Sequence, residues 1–146
     1  GIFMEKKLTL KQKDYIVRKI YKTYQKAQLD ILYLTQHYNY YPQVDMFKVK
    51  DSSTVYHGDE KMVQQIERKQ RLENYVEMIH QVHTHLSHET YDFIEHEYIN
   101  YYESSWWMTF YSRASYYRLK HRALDEFMDC ISIFWSEEDI LSLLDA

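Results

Sequence analysis

Five of the eight histidines lie close together, at His80, His83, His85, His88 and His96. Imidazole is the commonest metal ligand and the side chain that titrates nearest neutral pH, so spacing decides what such a cluster could do. Glu77 and His80 stand at i, i+3, the step by which one helix face offers a carboxylate and an imidazole to a di-metal centre. That chemistry needs a second Glu-x-x-His and two more inward glutamates, and no second copy is present. His88, Asp92 and His96 step by four and share a helix face, but the His-Glu-x-x-His pattern of zinc proteases is absent. The one cysteine, Cys130, has no neighbouring base and cannot form an intrachain disulfide. Glycine occurs only at positions 1 and 58, which leaves no room for a glycine-rich phosphate loop. The expectation is a protein that is not an enzyme, with no catalytic residues, no metal site and no cofactor.

A second group of reactive side chains runs from Trp106 to Leu124. Ser112 is placed to cap a helix, its hydroxyl accepting from the free N–H groups of the first turn. Beyond it Tyr116, Leu119, Ala123, Phe127, Cys130, Ile131 and Phe134 recur at helical steps and form one apolar stripe. Arg113, Tyr117, Arg118, His121 and Arg122 fall on the other side. Cations and aromatic rings on the free face of a helix suit phosphate oxygens and base edges. A core helix with a solvated charged face would be written the same way.

Charge is distributed in blocks. The chain of 146 residues has a net charge of −4. Residues 1–26 carry eight Lys/Arg and two acids, and residues 27–104 carry six Lys/Arg and thirteen acids. Residues 105–124 carry four Lys/Arg and no acid, and residues 125–146 carry seven acids and no base. The basic block coincides with the capped helix, and with a Debye length of about 8 Å distant acidic blocks are largely screened from it. The early lysines, Lys6, Lys7, Lys11, Lys13, Lys19, Lys22 and Lys26, read as a solvated face with phosphate contact as the alternative.

These residues need elements to position them. Two glycines and one proline argue for an almost wholly helical chain. From 9 to 41, Val17, Ile20, Tyr24, Ala27, Ile31, Leu34, Tyr38 and Tyr41 alternate steps of three and four, a seam that must be buried. Pro42 ends that helix. Residues 42–58 read as a loop, with Asp59 as the cap of a helix running to Leu86. Leu72, Tyr75, Ile79, Val82 and Leu86 make its seam, expected to pack antiparallel to the first. Ser87 caps a third helix from His88 to Tyr102 with Tyr91, Ile94, Tyr98 and Tyr101 inward. The basic helix then runs to Trp135, and Ser136-Glu137-Glu138-Asp139 starts a short acidic helix, 136–146, whose acids suit the helix dipole. No apolar run reaches roughly 18 residues, so no membrane span is expected.

Residues from about 52 to 135 resemble the C-terminal region of sigma-region-4-like phage late transcriptional activators of the ArpU and RinA type. The likeness rests on a charged helix (Asp59–Leu86), Tyr91–Tyr102, Trp106/Trp107, and Ser112-Arg113-Ala114-Ser115-Tyr116-Tyr117-Arg118-Leu119-Lys120-His121-Arg122-Ala123-Leu124. The chain is also similar to small uncharacterised proteins of wall-less, A/T-rich bacteria, in its Trp106-Trp107 pair and the Tyr111-Ser112-Arg113-Ala114-Ser115-Tyr116-Tyr117-Arg118 stretch. The resemblance implies a helix-turn-helix with the basic helix as recognition helix. The spacer departs from it: Trp107 to Ser112 is five positions, about one turn too short for the first helix of the motif, which sets the angle of the second.

The sequence therefore predicts a single all-α domain over 1–146, a helical bundle with a long antiparallel helix pair and a divergent helix-turn-helix within 59–135. The expected function is a cytoplasmic, DNA-binding transcriptional regulator. Ser112 and the helix N-terminus would meet a phosphate. Arg113, Ser115 and Tyr117 would face the groove, and Arg118, Lys120, His121 and Arg122 would contact backbone or base edges of double-stranded DNA. The alternative is a helical protein–protein interaction module, whose seams bind a second copy or a helical partner.

Overall fold

The computed structural model describes residues 7–38, 56–101 and 103–145, and every regular element in them is helical. The chain is an all-α helical bundle. Its elements are α1 (Leu10–Tyr38), α2 (Tyr56–His85), α3 (His88–Ile94), a π-helical turn (Glu95–Ile99), a 3-10 turn (Trp106–Thr109), α4 (Arg113–Ile131), α5 (Glu137–Ser142) and a last 3-10 turn (Leu143–Asp145). They fall into two compact units, Gly1–Thr23 with Met78–Ala146, and Tyr24–Glu77.

Each start in the first unit is set by a local side chain. Thr9 and Gln12 form a reciprocal capping box: the Thr9 N–H donates to Gln12 Oε1 at 2.9 Å and the Gln12 N–H donates to Thr9 Oγ1 at 3.1 Å. Ser112 Oγ accepts from the Ser115 N–H at 3.1 Å and starts α4. Ser136 Oγ accepts from the Asp139 N–H at 3.1 Å and starts α5, whose first turn holds Glu137, Glu138 and Asp139. The α3 cap is built from two elements. Ser87 Oγ accepts from the Thr90 N–H at 3.3 Å, and Glu126 of α4 accepts from the Ser87 N–H, from Ser87 Oγ at 3.0 Å and from Thr90 Oγ1 at 2.7 Å. One carboxylate thus satisfies the exposed start of α3 and ties it to α4. Burial works against the charge of Glu126, but these hydrogen bonds and the nearby Arg122 hold its carboxyl below the usual range.

The core of this unit joins Ile16, Val17, Ile20 and Tyr21 of α1 to Ile79, Val82, Phe93, Ile94, Leu119, Ala123, Leu124, Phe127, Met128 and Ile131, all buried. Tyr21 is its hub. Its ring stacks on His83 at 5.8 Å and on Tyr98 at 6.2 Å, and meets Phe127 at 5.6 Å. Its hydroxyl lies 2.7 Å from His83 Nε2. Burial, and then the neighbouring His80, push the His83 pKa down to about 4. Ile140 anchors α5 in the core, and Lys19 Nζ donates to the Leu143 carbonyl at 2.9 Å.

In the second unit Tyr24, Ala27 and Leu34 are buried and Ile31 is half-buried. Asp30 accepts from Lys26 at 2.8 Å and from Arg68 of α2 at 3.2 Å.

Four expectations change. The inward stripe of α1 is wider than the seam, because Ile16 and Tyr21 are buried as well, as in a globular helix rather than a coiled coil. α2 begins at Tyr56, so Gly58 and Asp59 lie inside it. Glycine in a helix costs only about 1 kcal/mol. α4 stops at Ile131, where the Ser132 hydroxyl takes the Met128 carbonyl at 2.7 Å, and Phe134 is 41% exposed rather than on the buried stripe. The third helix is α-helical only to Ile94. Pro42, Tyr41, residues 43–55 and Lys6 lie outside the described residues.

Candidate functional site

The turn that carries Glu97 is the unusual part of the backbone. Asn100 N–H donates to the Glu95 carbonyl at 2.7 Å, an i to i+5 bond, so Glu95–Ile99 is a π turn. One extra residue per turn lets Glu97 and Tyr98 both point inward, and such turns are frequent at functional sites. Glu97 is only 4% exposed. A carboxylate that deep must be matched by donors, and it is. Glu97 Oε1 accepts from Trp106 Nε1 at 2.8 Å, Oε2 accepts from the Tyr116 hydroxyl, and Lys120 Nζ lies 3.3 Å from Oε2.

Lys120 joins this group to a second one. Its ammonium is 3.1 Å from Asp14 Oδ1, which also accepts from Arg18 Nη2 at 3.1 Å and from the Tyr98 hydroxyl at 2.6 Å. Desolvation works against the Asp14 charge, but the Tyr98 hydrogen bond and the Lys120 and Arg18 charges hold its carboxyl below the usual range. Burial, and then the carboxylates that they serve, push both phenols, Tyr98 and Tyr116, far above the ordinary tyrosine range, so both stay protonated donors. The cluster has two carboxylates, two cations and three neutral donors, and no buried side-chain nitrogen or oxygen among the described residues lacks a partner.

A cleft of about 460 Å³ opens beside this cluster, wholly within the first unit. One wall is a single helix row, Arg113, Tyr116, Tyr117 and Lys120 at i, i+3, i+4 and i+7. The opposite side is Arg18, Glu97, Tyr101 and Ser104, and the 3-10 turn adds Trp107 and Met108. Trp107 stacks on Tyr116 with centroids 4.6 Å apart and planes at 20°. Trp106 lies between His96, stacked at 4.9 Å, and Phe93, edge-on at 5.7 Å. The Arg113 guanidinium sits 5.9 Å over the Tyr117 ring, and the Arg18 guanidinium sits 4.9 Å over Tyr98 and 5.9 Å over Tyr101. A larger cleft of about 790 Å³ runs along α5, lined by Gln12, Glu137, Glu138, Ser142 and Asp145 with Leu141 and Leu144. It gathers acids without converging on any buried group, and we place no site there.

The predicted contact residues divide between two faces of α4. Arg113, Tyr117 and Lys120 line the cleft. Ser112, Ser115, Arg118, His121 and Arg122 do not line it. Ser112 and Ser115 are joined at the cap by a 3.0 Å hydroxyl bond, and Arg118 Nη2 donates to Ser115 Oγ at 3.1 Å. Lys120 requires a correction. Its side chain is 12% exposed and committed to Asp14 and Glu97, so it does not belong to an outward basic set. Arg122 is exposed and paired with Glu89 of α3. Among the described residues Arg113, Arg118 and His121 meet no carboxylate, and the first acids that follow are engaged elsewhere, Asp125 by Lys13 and Glu126 at the α3 cap. The element that precedes the cap is a single 3-10 turn, with Phe110 beyond it 72% exposed.

The sequence places Tyr98 on an inward stripe, as the structure does, but gives no role to Asp14, Arg18 or Glu97. A signal existed: Glu97 lies three residues after Ile94 and four after Phe93, on the inward stripe of its own helix. Glu77 and His80 are exposed. Asp92, Glu95 and His96, rather than His88, bring ligand atoms within 4.8 Å of one another, while His96 Nδ1 lies 2.9 Å from the Asp92 carbonyl. Cys130 is buried, and desolvation raises its thiol pKa, with Glu126 and Asp129 adding to the shift.

Comparison with protein-family models, with curated proteins and with solved structures gives no match for this chain. Among the described residues no helix is long and apolar enough to cross a membrane.

Proposed function

We propose that this chain binds nucleic acid through α4, with double-stranded DNA as the expected partner and transcriptional regulation as the role. The observation that supports the reading is the outward face of α4 near its start. Arg118 and His121 are exposed there beside Ser112, Ser115 and Tyr117, and the described carboxylates nearby are bonded to other groups. A phosphate at the Ser112 cap would meet free N–H groups and the positive end of the helix dipole. Arg118 and His121 would follow the backbone, and Arg113 and Tyr117 stand at the edge of the face. The test is fluorescence anisotropy with random duplex DNA, single-stranded DNA and structured RNA at rising salt. Micromolar duplex binding that weakens steeply with salt is expected, and the slope counts the phosphates neutralised. No binding at the lowest salt overturns the reading.

One observation favours a second reading, a helical interaction module. Leu29, Leu32 and Tyr33 of α1 form an exposed apolar row in the second unit. Light scattering over a range of protein concentration tests it. Self-association that Leu32→Glu abolishes would support it, and a monomer throughout would count against a second copy as the occupant.

A further inference from the structure

We propose that the cleft beside Glu97 binds one nucleoside monophosphate unit, its phosphate held by Arg113 and its base laid against Tyr117 and Tyr101. The choice of a nucleotide over another aromatic anion rests on the reading of α4 as a nucleic-acid-contacting helix. The cleft itself carries the rest. Its lining holds the cations Arg18, Arg113 and Lys120 against one carboxylate, Glu97, so with Asp14 behind it the local balance stays positive. Each outer cation is packaged with a ring: Arg113 with Tyr117, and Arg18 with Tyr101. A guanidinium beside an aromatic face is the pair of surfaces that a phosphate and a base need together.

The back of the site is pre-formed. Glu97 fixes Trp106 and Tyr116 by hydrogen bonds, and Tyr116 fixes Trp107 by stacking, so the entropy lost on binding is confined to the exposed side chains at the mouth. Lys120 is held by both carboxylates and contributes its field rather than a contact. Arg113, with no carboxylate partner among the described residues, is the cation available to a ligand. A volume of about 460 Å³ lies within the usual span for small-molecule sites, roughly 300–1,000 Å³.

The same chemistry could reach the cleft as a free mononucleotide or as one unpaired nucleotide of a strand. The intact protein would be titrated with adenosine 5′-monophosphate, read by tryptophan fluorescence, and separately with a DNA hairpin bearing one extrahelical 2-aminopurine, read by quenching of that base. Whichever probe saturates identifies the source. Arg113→Ala is expected to weaken binding about tenfold or more, and Tyr117→Ala to weaken it too. Both residues are exposed on α4, so circular dichroism should confirm an intact fold. No saturation of either probe at millimolar concentration overturns the proposal, as does binding indifferent to both Arg113→Ala and Tyr117→Ala. Perfectly paired duplex separates the two readings. If duplex binding is absent while Arg113-dependent nucleotide binding remains, the outward interface fails and the cleft stands. If duplex binding depends on Arg118 while neither probe saturates, the interface stands and the cleft fails.

Discussion

Lys120→Met would test whether the charged cluster holds the first unit together. The substitution keeps the length of the stem and removes the ammonium that reaches Asp14 at 3.1 Å and Glu97 at 3.3 Å. Removing one partner of a buried ion pair costs about 3–5 kcal/mol, because the other charge is left uncompensated. Glu97 meets that condition: its side chain is 5% exposed, and only the neutral donors Trp106 and Tyr116 remain. Asp14 does not, since Arg18 still meets it at 3.1 Å and its side chain is 24% exposed. The expected loss is therefore nearer the lower end, about 2–4 kcal/mol. Urea unfolding followed by circular dichroism would measure it, with an unchanged slope showing that the denatured state is the same. Adding Glu97→Gln should then recover part of the loss, with a coupling of about 1–3 kcal/mol between the two sites. A single-variant loss under about 1 kcal/mol, or strictly additive variants, would refute the claim that Lys120 compensates a buried carboxylate.

Other perturbations read separate parts of the molecule. His83 is held neutral in the folded chain to about pH 4, whereas the unfolded chain takes up its proton near 6.5. Its contribution is complete above the unfolded value and falls as pH drops through that window, by about 1–2 kcal/mol once its partial exposure is allowed for. Melting temperatures measured between about pH 7 and 5 should decline in the native chain and less so in His83→Gln, and parallel curves would place the titration elsewhere. Phe127→Ala removes a fully buried ring packed on Tyr21 and should cost about 3–5 kcal/mol; a near-neutral result would mean that the α4 stripe does not face the core. Glu126→Gln weakens the shared cap of α3 and should cost about 1–2 kcal/mol at neutral pH. The Glu126 carboxyl sits below its usual range, so that difference should shrink as pH falls through its folded value, and a pH-independent difference would contradict the role of the charge. Arg118→Ala should weaken duplex binding without changing the helical signal, and an unchanged affinity would remove Arg118 from the interface.

Local rules are written in local residues, which is why the caps were legible. Ser87, Ser112 and Ser136 each cap the helix that the sequence assigns to them, and the stripe from Tyr116 to Ile131 is buried as its period requires. Period alone does not show where a helix stops, so it carries the stripe on to Phe134, whereas α4 ends at Ile131 with Ser132 as its cap. The start of α2 was misread for a related reason, since a glycine and an aspartate can mark a boundary or be tolerated inside a first turn. The cluster was hidden for a different reason. Asp14 and Lys120 are far apart in sequence, and each alone resembles a surface charge. Only the packing of α1 against α4 turns them inward, and Lys120 sits at the margin of the apolar stripe, where a helical wheel does not decide between solvent and cleft. The split of the basic set between two faces follows from the same margin.

The π turn at Glu95–Ile99 makes this region sensitive to chain length in a way that composition does not show. Deleting one residue there would restore regular α-helical bonding, and a helix-optimising redesign would select that change. It would also rotate the residues that follow within the turn by about 100°, so that Glu97 and Tyr98 could no longer both point inward, and Trp106 and Lys120 would lose the carboxylate they share. A single-residue indel at this turn should thus behave as a large lesion, whereas an indel in an exposed loop is absorbed. Related chains that keep the cleft are expected to keep the residue count between Phe93 and Trp106 even where the side chains between them drift.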